Sequence, residues 1–194
     1  RHLCTLGVSL DAYFALVKAT RRQCFDRDGT LLPNFADCSL ATQPIFGAAR
    51  LPNLVPAVTN REMIQLRTPT EFRILPTGAA LLGPVAEHAW SVLGARTFVF
   101  VRDDSNFGLS MVNAMRAALT PKFHQVVTGE EMVRRGSLDF AALVARIRDR
   151  KADYVFFGGR ATEAAALLKQ LRAADVKGAF FVATHQPDPE FVEI

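Results

Sequence analysis

The chain has 194 residues, 49% of them hydrophobic and 22% charged, with a formal net charge of +4 from 23 basic and 19 acidic side chains. That apolar fraction supports a buried core and excludes a disordered chain, while ten prolines and twelve glycines exclude collagen-like and low-complexity classes. No run of about 18 apolar residues occurs, so the sequence offers no membrane-spanning helix, and its length fits one large domain or two small lobes.

In chain order, Leu3 to Leu10 reads as a strand, already under way at Arg1-His2, with no initiator Met and no signal peptide before it. Asp11 is expected to cap a helix that ends near Asp28-Gly29, where Gly29 fits the left-handed position past a helix end. Leu31 to Ala36 reads as a short strand, Asp37-Cys38-Ser39 as a loop, and Leu40 to about Arg50 as a helix. Leu54 to Val58 is the next strand, and Thr59 or Asn60 is expected to cap a short helix with Glu62 and Met63. Phe72 to Leu75 is strand-like and is broken by Pro76-Thr77-Gly78, the expected crossover between lobes. A helix is expected from Gly83-Pro84, with Ala86, Ala89, Trp90 and Leu93 on one face.

Beyond that point the pattern is cleaner. Thr97 to Val101 is a continuous apolar run, as in a strand covered on both faces. Asp103 to Gly108 is a loop at its carboxyl end, followed by a helix to about Leu119. Phe123 to Thr128 reads as a strand, and Ser137 as the cap of a helix presenting Phe140, Leu143, Val144 and Ile147. Asp153 to Phe157 is a strand closed by Gly158-Gly159, and Thr162 is expected to cap a helix carrying Ala164, Leu167, Leu168 and Leu171. Ala179 to Val182 is the last strand, and Phe191 to Ile194 looks like the start of a further helix. Both ends suggest a piece of a longer protein. The alternation predicts an α/β chain built on open parallel sheet, whose ligands bind at loops beyond the carboxyl ends of strands. That rule selects residues 37–39, 57–60, 103–108, 158–162 and 183–187.

Enzyme signatures are sparse. No GxGxxG, Walker A or GxSxG motif occurs. Asp103-Asp104 suits either metal or acid–base work or a helix-entry loop. His88 reads as a surface residue, whereas His185 lies in a strand-end loop and can face a site. Cys38 lacks a legible His–Asp partnership for a nucleophile. Cys4, Cys24 and Cys38 have no zinc-ligand spacing; one disulfide, such as Cys4–Cys38, and three reduced thiols both remain open. Arg146, Arg148, Arg150 and Lys151 read as a solvated helix face rather than a nucleic-acid stripe.

Four stretches, in order and spacing, resemble the type I periplasmic-binding-protein family, on its leucine/isoleucine/valine-binding branch. They are Leu10-Asp11-Ala12-Tyr13 with Asp28-Gly29; Cys38-Ser39-Leu40-Ala41-Thr42-Gln43-Pro44; Pro56-Ala57-Val58-Thr59; and the series Asp103 to Gly108, Asp139 to Leu143 and Asp153 to Gly159. The resemblance implies two lobes of open parallel sheet flanked by helices, incomplete at both ends. Residues 1–75 would be part of the first lobe, 76–84 the crossover, and 85–194 part of the second.

It further implies an extracytoplasmic, non-catalytic protein that binds a small ligand between its lobes and serves the membrane permease of an ABC transporter. No cofactor, metal or nucleic acid is implied. A ligand carboxylate would meet the Cys38-Ser39 and Ala57-Val58-Thr59 segments, chiefly through Ser39, Ala57 and Thr59. Phe107 falls where the family often has a Tyr over the ligand, and Arg160 where an aromatic is common. Where amino-acid binders carry an acid for the ligand ammonium, this chain has Thr184, His185 and Gln186, with Asp188 further on. The ligand implied is a branched-chain or related amino acid, and that departure sets beside it a carboxylate without an ammonium, such as an aromatic or dicarboxylic acid, or a small amide. A sensing domain of the same fold, and an α/β enzyme using Cys38 or His185, are the alternatives.

Overall fold

The computed structural model describes residues 36–55, 57–120 and 126–184. The expected strand and helix over residues 3–29, most of the strand at 31–36, the start of the strand at 123–128, and residues 185–194 lie outside them. The chain divides into two compact units, Arg1–Thr77 and Gly78–Ile194.

In the first unit, helix α1 spans Ala36–Ala48, strand β1 Asn53–Val55, helix α2 Glu62–Gln65 and strand β2 Glu71–Arg73. The two strands pair in parallel, with Asn53 opposite Glu71, Leu54 opposite Phe72 and Val55 opposite Arg73. Helix α1 begins earlier than the sequence suggested, so Cys38 and Ser39 lie within it rather than in a loop. Its buried face is Cys38, Ser39, Thr42 and Gln43, an i, i+1, i+4, i+5 set on one side of a helix. Three of those four are polar, so apolar periodicity does not reveal the face. Leu40 packs on the small cluster of Val55, Val58 and Met63, which joins α1 to the segment after β1. Thr59 and Asn60 do not cap α2; Arg61 occupies that position without a side-chain bond.

In the second unit, helix α3 spans Gly78–Ser91, strand β3 Phe98–Asp103, helix α4 Asn106–Leu119 and strand β4 Val127–Val133. Helix α5 spans Ala141–Asp149, strand β5 Tyr154–Gly158, helix α6 Ala161–Ala173 and strand β6 Ala179–Ala183. The strands form one parallel sheet in the order β4-β3-β5-β6. Alternate side chains of β3 and β5 feed two cores. Phe98, Phe100, Tyr154 and Phe156 pack under α3 and α4 with Leu82, Ala86, Met111 and Met115. Val99, Val101, Val155 and Phe157 pack under α5 and α6 with Leu143, Ile147, Leu167 and Leu171. The rings are paired as well: Phe98 and Tyr154 lie 5.1 Å apart, and Phe100 and Phe156 meet edge to face at 5.8 Å.

Several local expectations shift here. Helix α3 starts at Gly78, so Pro84 lies inside it rather than in its first turn, and Leu93 falls beyond its end and is exposed. Strand β4 lies later than Phe123–Thr128 suggested. It is an edge strand of alternating half-buried and exposed residues, and Glu130 and Glu131 bind arginines rather than core. Ser137 and Thr162 do not cap α5 and α6; the caps are Phe140 and Arg160, without side-chain bonds. Gln170 of α6 instead accepts the Phe140 N–H at 2.8 Å and donates to the Leu138 carbonyl at 2.7 Å. A cap supplied by a neighbouring helix leaves no local signal.

Candidate functional site

The strand order of the second unit places its topological switch point. From β3 the chain moves to β4 on one side, and from β5 to β6 on the other. The connecting helices change faces with it: α4 packs on the first core, α5 and α6 on the second. The carboxyl ends of β3 and β5 therefore flank a topological switch point, the place where open parallel sheets generally bind their ligands.

Asp103 closes β3 and is 2% exposed. Its Oδ1 accepts the Ser105 N–H at 3.0 Å and the Ser105 hydroxyl. Ser105 in turn caps α4, accepting the Gly108 N–H at 3.0 Å. Asp103 thus serves the helix entry, the second of the two roles its sequence allowed. Asp104 pairs with Arg135 at 2.7 Å; the Arg135 hydrogen bond is the chief reason its carboxyl lies below the usual range. Glycine is required where the two strand ends meet. A Cβ on Gly108 would sit 2.7 Å from the Gly158 carbonyl, and one on Gly159 3.1 Å from the Asp103 carboxylate.

The residues expected in the second lobe's site take different positions. Phe107 lies in the first turn of α4 and belongs to the buried core. Arg160 is the exposed N-cap of α6. Thr184 follows β6 and is half-buried. The neighbouring Gly159 N–H binds the Ala183 carbonyl at 3.1 Å. Glu163, in the first turn of α6, was not singled out in the sequence. It is buried, and its Oε1 accepts the Gly136 N–H at 2.7 Å, tying the turn after β4 to α6. A first-turn acid usually faces water, so nothing local marked it.

The first unit gathers its candidates around the carboxyl end of β1. Cys38 and Ser39 are buried on α1; Cys38 is disulfide-bonded, which removes the thiol that a nucleophile requires. Cys4 and Cys24 lie outside the described residues. Ala57 is half-buried, and the Val58 side chain is part of the core. Thr59 is 6% exposed, and its hydroxyl has no hydrogen-bond partner among the described residues. Gln43 of α1 donates to the Met63 carbonyl at 3.2 Å. Burial pushes the Glu71 carboxyl up, against the opposing pull of the Arg73 guanidinium and the Gln43 side chain. Gln43, Glu71 and Arg73 are the polar residues that the sequence reading missed. Among the described residues no cluster of His, Cys, Asp or Glu has the makings of a metal site, and no helix is long and apolar enough to cross a membrane.

Residues 26–192 match the family model described as "Periplasmic binding protein". The amino acid binding protein of Pseudomonas aeruginosa is 26% identical over 187 residues, 90% of this chain and 50% of that protein. Among solved structures, the leucine-binding protein LivK of Thermotoga maritima superposes with a TM-score of 0.76 at 22% identity, over 94% of this chain and 52% of that one. A solute-binding protein of R. palustris, solved in complex with benzoate, gives a TM-score of 0.68 at 17% identity, over 79% of this chain and 42% of that one. The chain spans about half the length of the relatives it matches.

Proposed function

Because the chain belongs to the periplasmic binding protein family, we propose that it holds a small carboxylate-bearing ligand between two lobes and delivers it to the permease of an ABC transporter. The reading assigns residues 1–75 to the first lobe, 85–194 to the second and 76–84 to the crossover between them. The observation that carries it is Thr59: a buried hydroxyl without a partner among the described residues, at the carboxyl end of a parallel strand. A buried hydroxyl left unbonded costs about 1–3 kcal/mol, and a carboxylate oxygen removes that cost. Ser39 is buried on the adjoining helix, and the ligand is read as bridging the Cys38-Ser39 and Ala57-Val58-Thr59 segments. Phe107, Arg160 and Thr184 are assigned to the second lobe's side.

The ligand class follows from charge. Thr184 is uncharged where a bound ammonium needs an acid, and Arg160 adds a positive charge. An aromatic or dicarboxylic acid therefore fits better than a zwitterionic amino acid, a reading supported by the benzoate bound in the R. palustris solute-binding protein of similar fold. The Cys38 disulfide supports an oxidising, extracytoplasmic setting. The protein is a binder without turnover in this reading, as the names of its relatives are those of binding proteins.

The test is a thermal-shift screen of the protein expressed from its full open reading frame, with L-leucine, benzoate, succinate and benzamide at millimolar concentration. A binder with a Kd a hundredfold below the ligand concentration gains about 2.7 kcal/mol. Benzoate or succinate is expected to stabilise more than L-leucine. Stabilisation by none of the three carboxylates would overturn the proposal.

A further inference from the structure

The two-stranded sheet of the first unit is polar on the inside. Its register places Asn53, Val55, Glu71 and Arg73 on one face and Leu54 and Phe72 on the other. Asn53 and Val55 are buried, whereas Leu54 and Phe72 are 57% and 58% exposed. Turning an arginine toward the inner face costs desolvation that only good hydrogen bonds offset. Arg73 makes two, both to backbone. Its Nη2 donates to the Val58 carbonyl at 2.7 Å and its Nη1 to the Asn60 carbonyl at 3.0 Å. Those carbonyls bracket Thr59.

In a trans peptide the C=O and the following N–H point in opposite directions, and no cis peptide occurs among the described residues. The Val58 carbonyl shares its peptide plane with the Thr59 N–H. Holding that carbonyl on Arg73 turns the Thr59 N–H to the opposite side of the segment. The Asn60 carbonyl fixes the Arg61 N–H in the same way. A planar guanidinium holding both carbonyls also prevents either peptide from flipping alone.

We infer that Arg73 is a positioning residue: by clamping the Val58 and Asn60 carbonyls it presents the Thr59 backbone N–H, beside the Thr59 hydroxyl, to the ligand carboxylate. The inference rests on the reading that Thr59 meets that carboxylate. Arg73 acts here through the two loop carbonyls that its Nη1 and Nη2 hold.

The test compares wild type, Arg73→Lys and Arg73→Gln, expressed from the full open reading frame, in calorimetric titrations with benzoate and benzamide and with L-leucine and L-leucinamide. Loss of one preorganised donor to a charged group is expected to weaken carboxylate binding about tenfold in Arg73→Gln, with amide binding within about twofold of wild type. Arg73→Lys, which keeps the charge and loses the fork, is expected to fall between. A merely structural role would weaken both members of each pair equally, and that result, or no change in either, overturns the inference. If Arg73→Gln does not fold, the decision passes to Arg73→Lys and to the Thr59 amide resonance. Benzoate is expected to shift that resonance downfield in wild type and less in Arg73→Lys; equal shifts overturn the inference. If wild type binds neither carboxylate, the reading of Thr59 has itself failed, and the inference fails with it.

Discussion

Gly108→Ala and Gly83→Ala are the same substitution in two helices and are expected to have opposite signs. Gly108 lies in the first turn of α4, against the end of β5. A Cβ there would stand 2.4 Å from Asp103 Oδ1, 2.7 Å from the Gly158 carbonyl and 3.2 Å from the Asp103 nitrogen. Two of these three neighbours are backbone, so relief requires α4 or β5 to move. Overpacking of this kind costs about 1–3 kcal/mol. The displaced Oδ1 also accepts both Ser105 bonds, and loss of that cap costs about 1 kcal/mol more. The helix propensity of Ala returns at most about 1 kcal/mol. The net is a destabilisation of about 1–3 kcal/mol. Gly83 lies within α3 with nothing within 4 Å of its would-be Cβ, so Ala there gains about 0.5–1 kcal/mol. At roughly 2–4 °C per kcal/mol, thermal unfolding followed by circular dichroism separates the two variants on opposite sides of wild type. A Gly108→Ala variant as stable as wild type would refute the close approach of α4 to β5 at the switch point.

Asp153 accepts the Arg96 and Thr97 N–H groups, each at 2.9 Å, and Asp153→Ala is expected to cost about 1 kcal/mol in urea unfolding. Partial burial raises its carboxyl pKa, but those amides and the Thr97 hydroxyl outweigh it and hold it below the usual range. The stability it contributes is therefore present above the ordinary Asp pKa and lost as pH falls through the depressed value; Asp153→Ala should have a shallower acid limb than wild type. Glu131 behaves alike. Burial raises its pKa, but Arg146, bound at 3.0 and 3.2 Å, and Arg150, at 2.6 Å, together bring it below normal. Glu131→Gln leaves two arginines facing a neutral group and is expected to cost about 1–2 kcal/mol at pH 7 and little at pH 3; an equal cost at both would contradict the ion-pair account.

How much of this was legible in the sequence varies by element. Strands β3 and β5 announced themselves as unbroken apolar runs, because both faces of a central parallel strand are covered. The face of α5 read off Phe140, Leu143, Val144 and Ile147 is buried as expected. Strand β4 was placed too early, because an edge strand whose Glu130 and Glu131 bind arginines carries no apolar pattern. In the first unit the pattern is inverted. Polar Ser39, Thr42 and Gln43 fill the buried face of α1, and Arg73 turns inward while Phe72 faces out. Apolar periodicity cannot find such a face; the resemblance singled out Ser39 and Thr59 as ligand-binding residues, without showing that they are buried. Arg73 escaped both routes, since its role is visible only in the carbonyls it holds.

The most direct measurement is isothermal titration of benzoate into the protein expressed from its full open reading frame, compared with the combined Ser39→Ala and Thr59→Ala variant. Two hydroxyl bonds to a charged group are together worth enough that the double variant should bind about a hundredfold more weakly or not measurably, with its circular dichroism unchanged. Equal affinity in wild type and variant would show that the carboxylate is held elsewhere and would contradict the account.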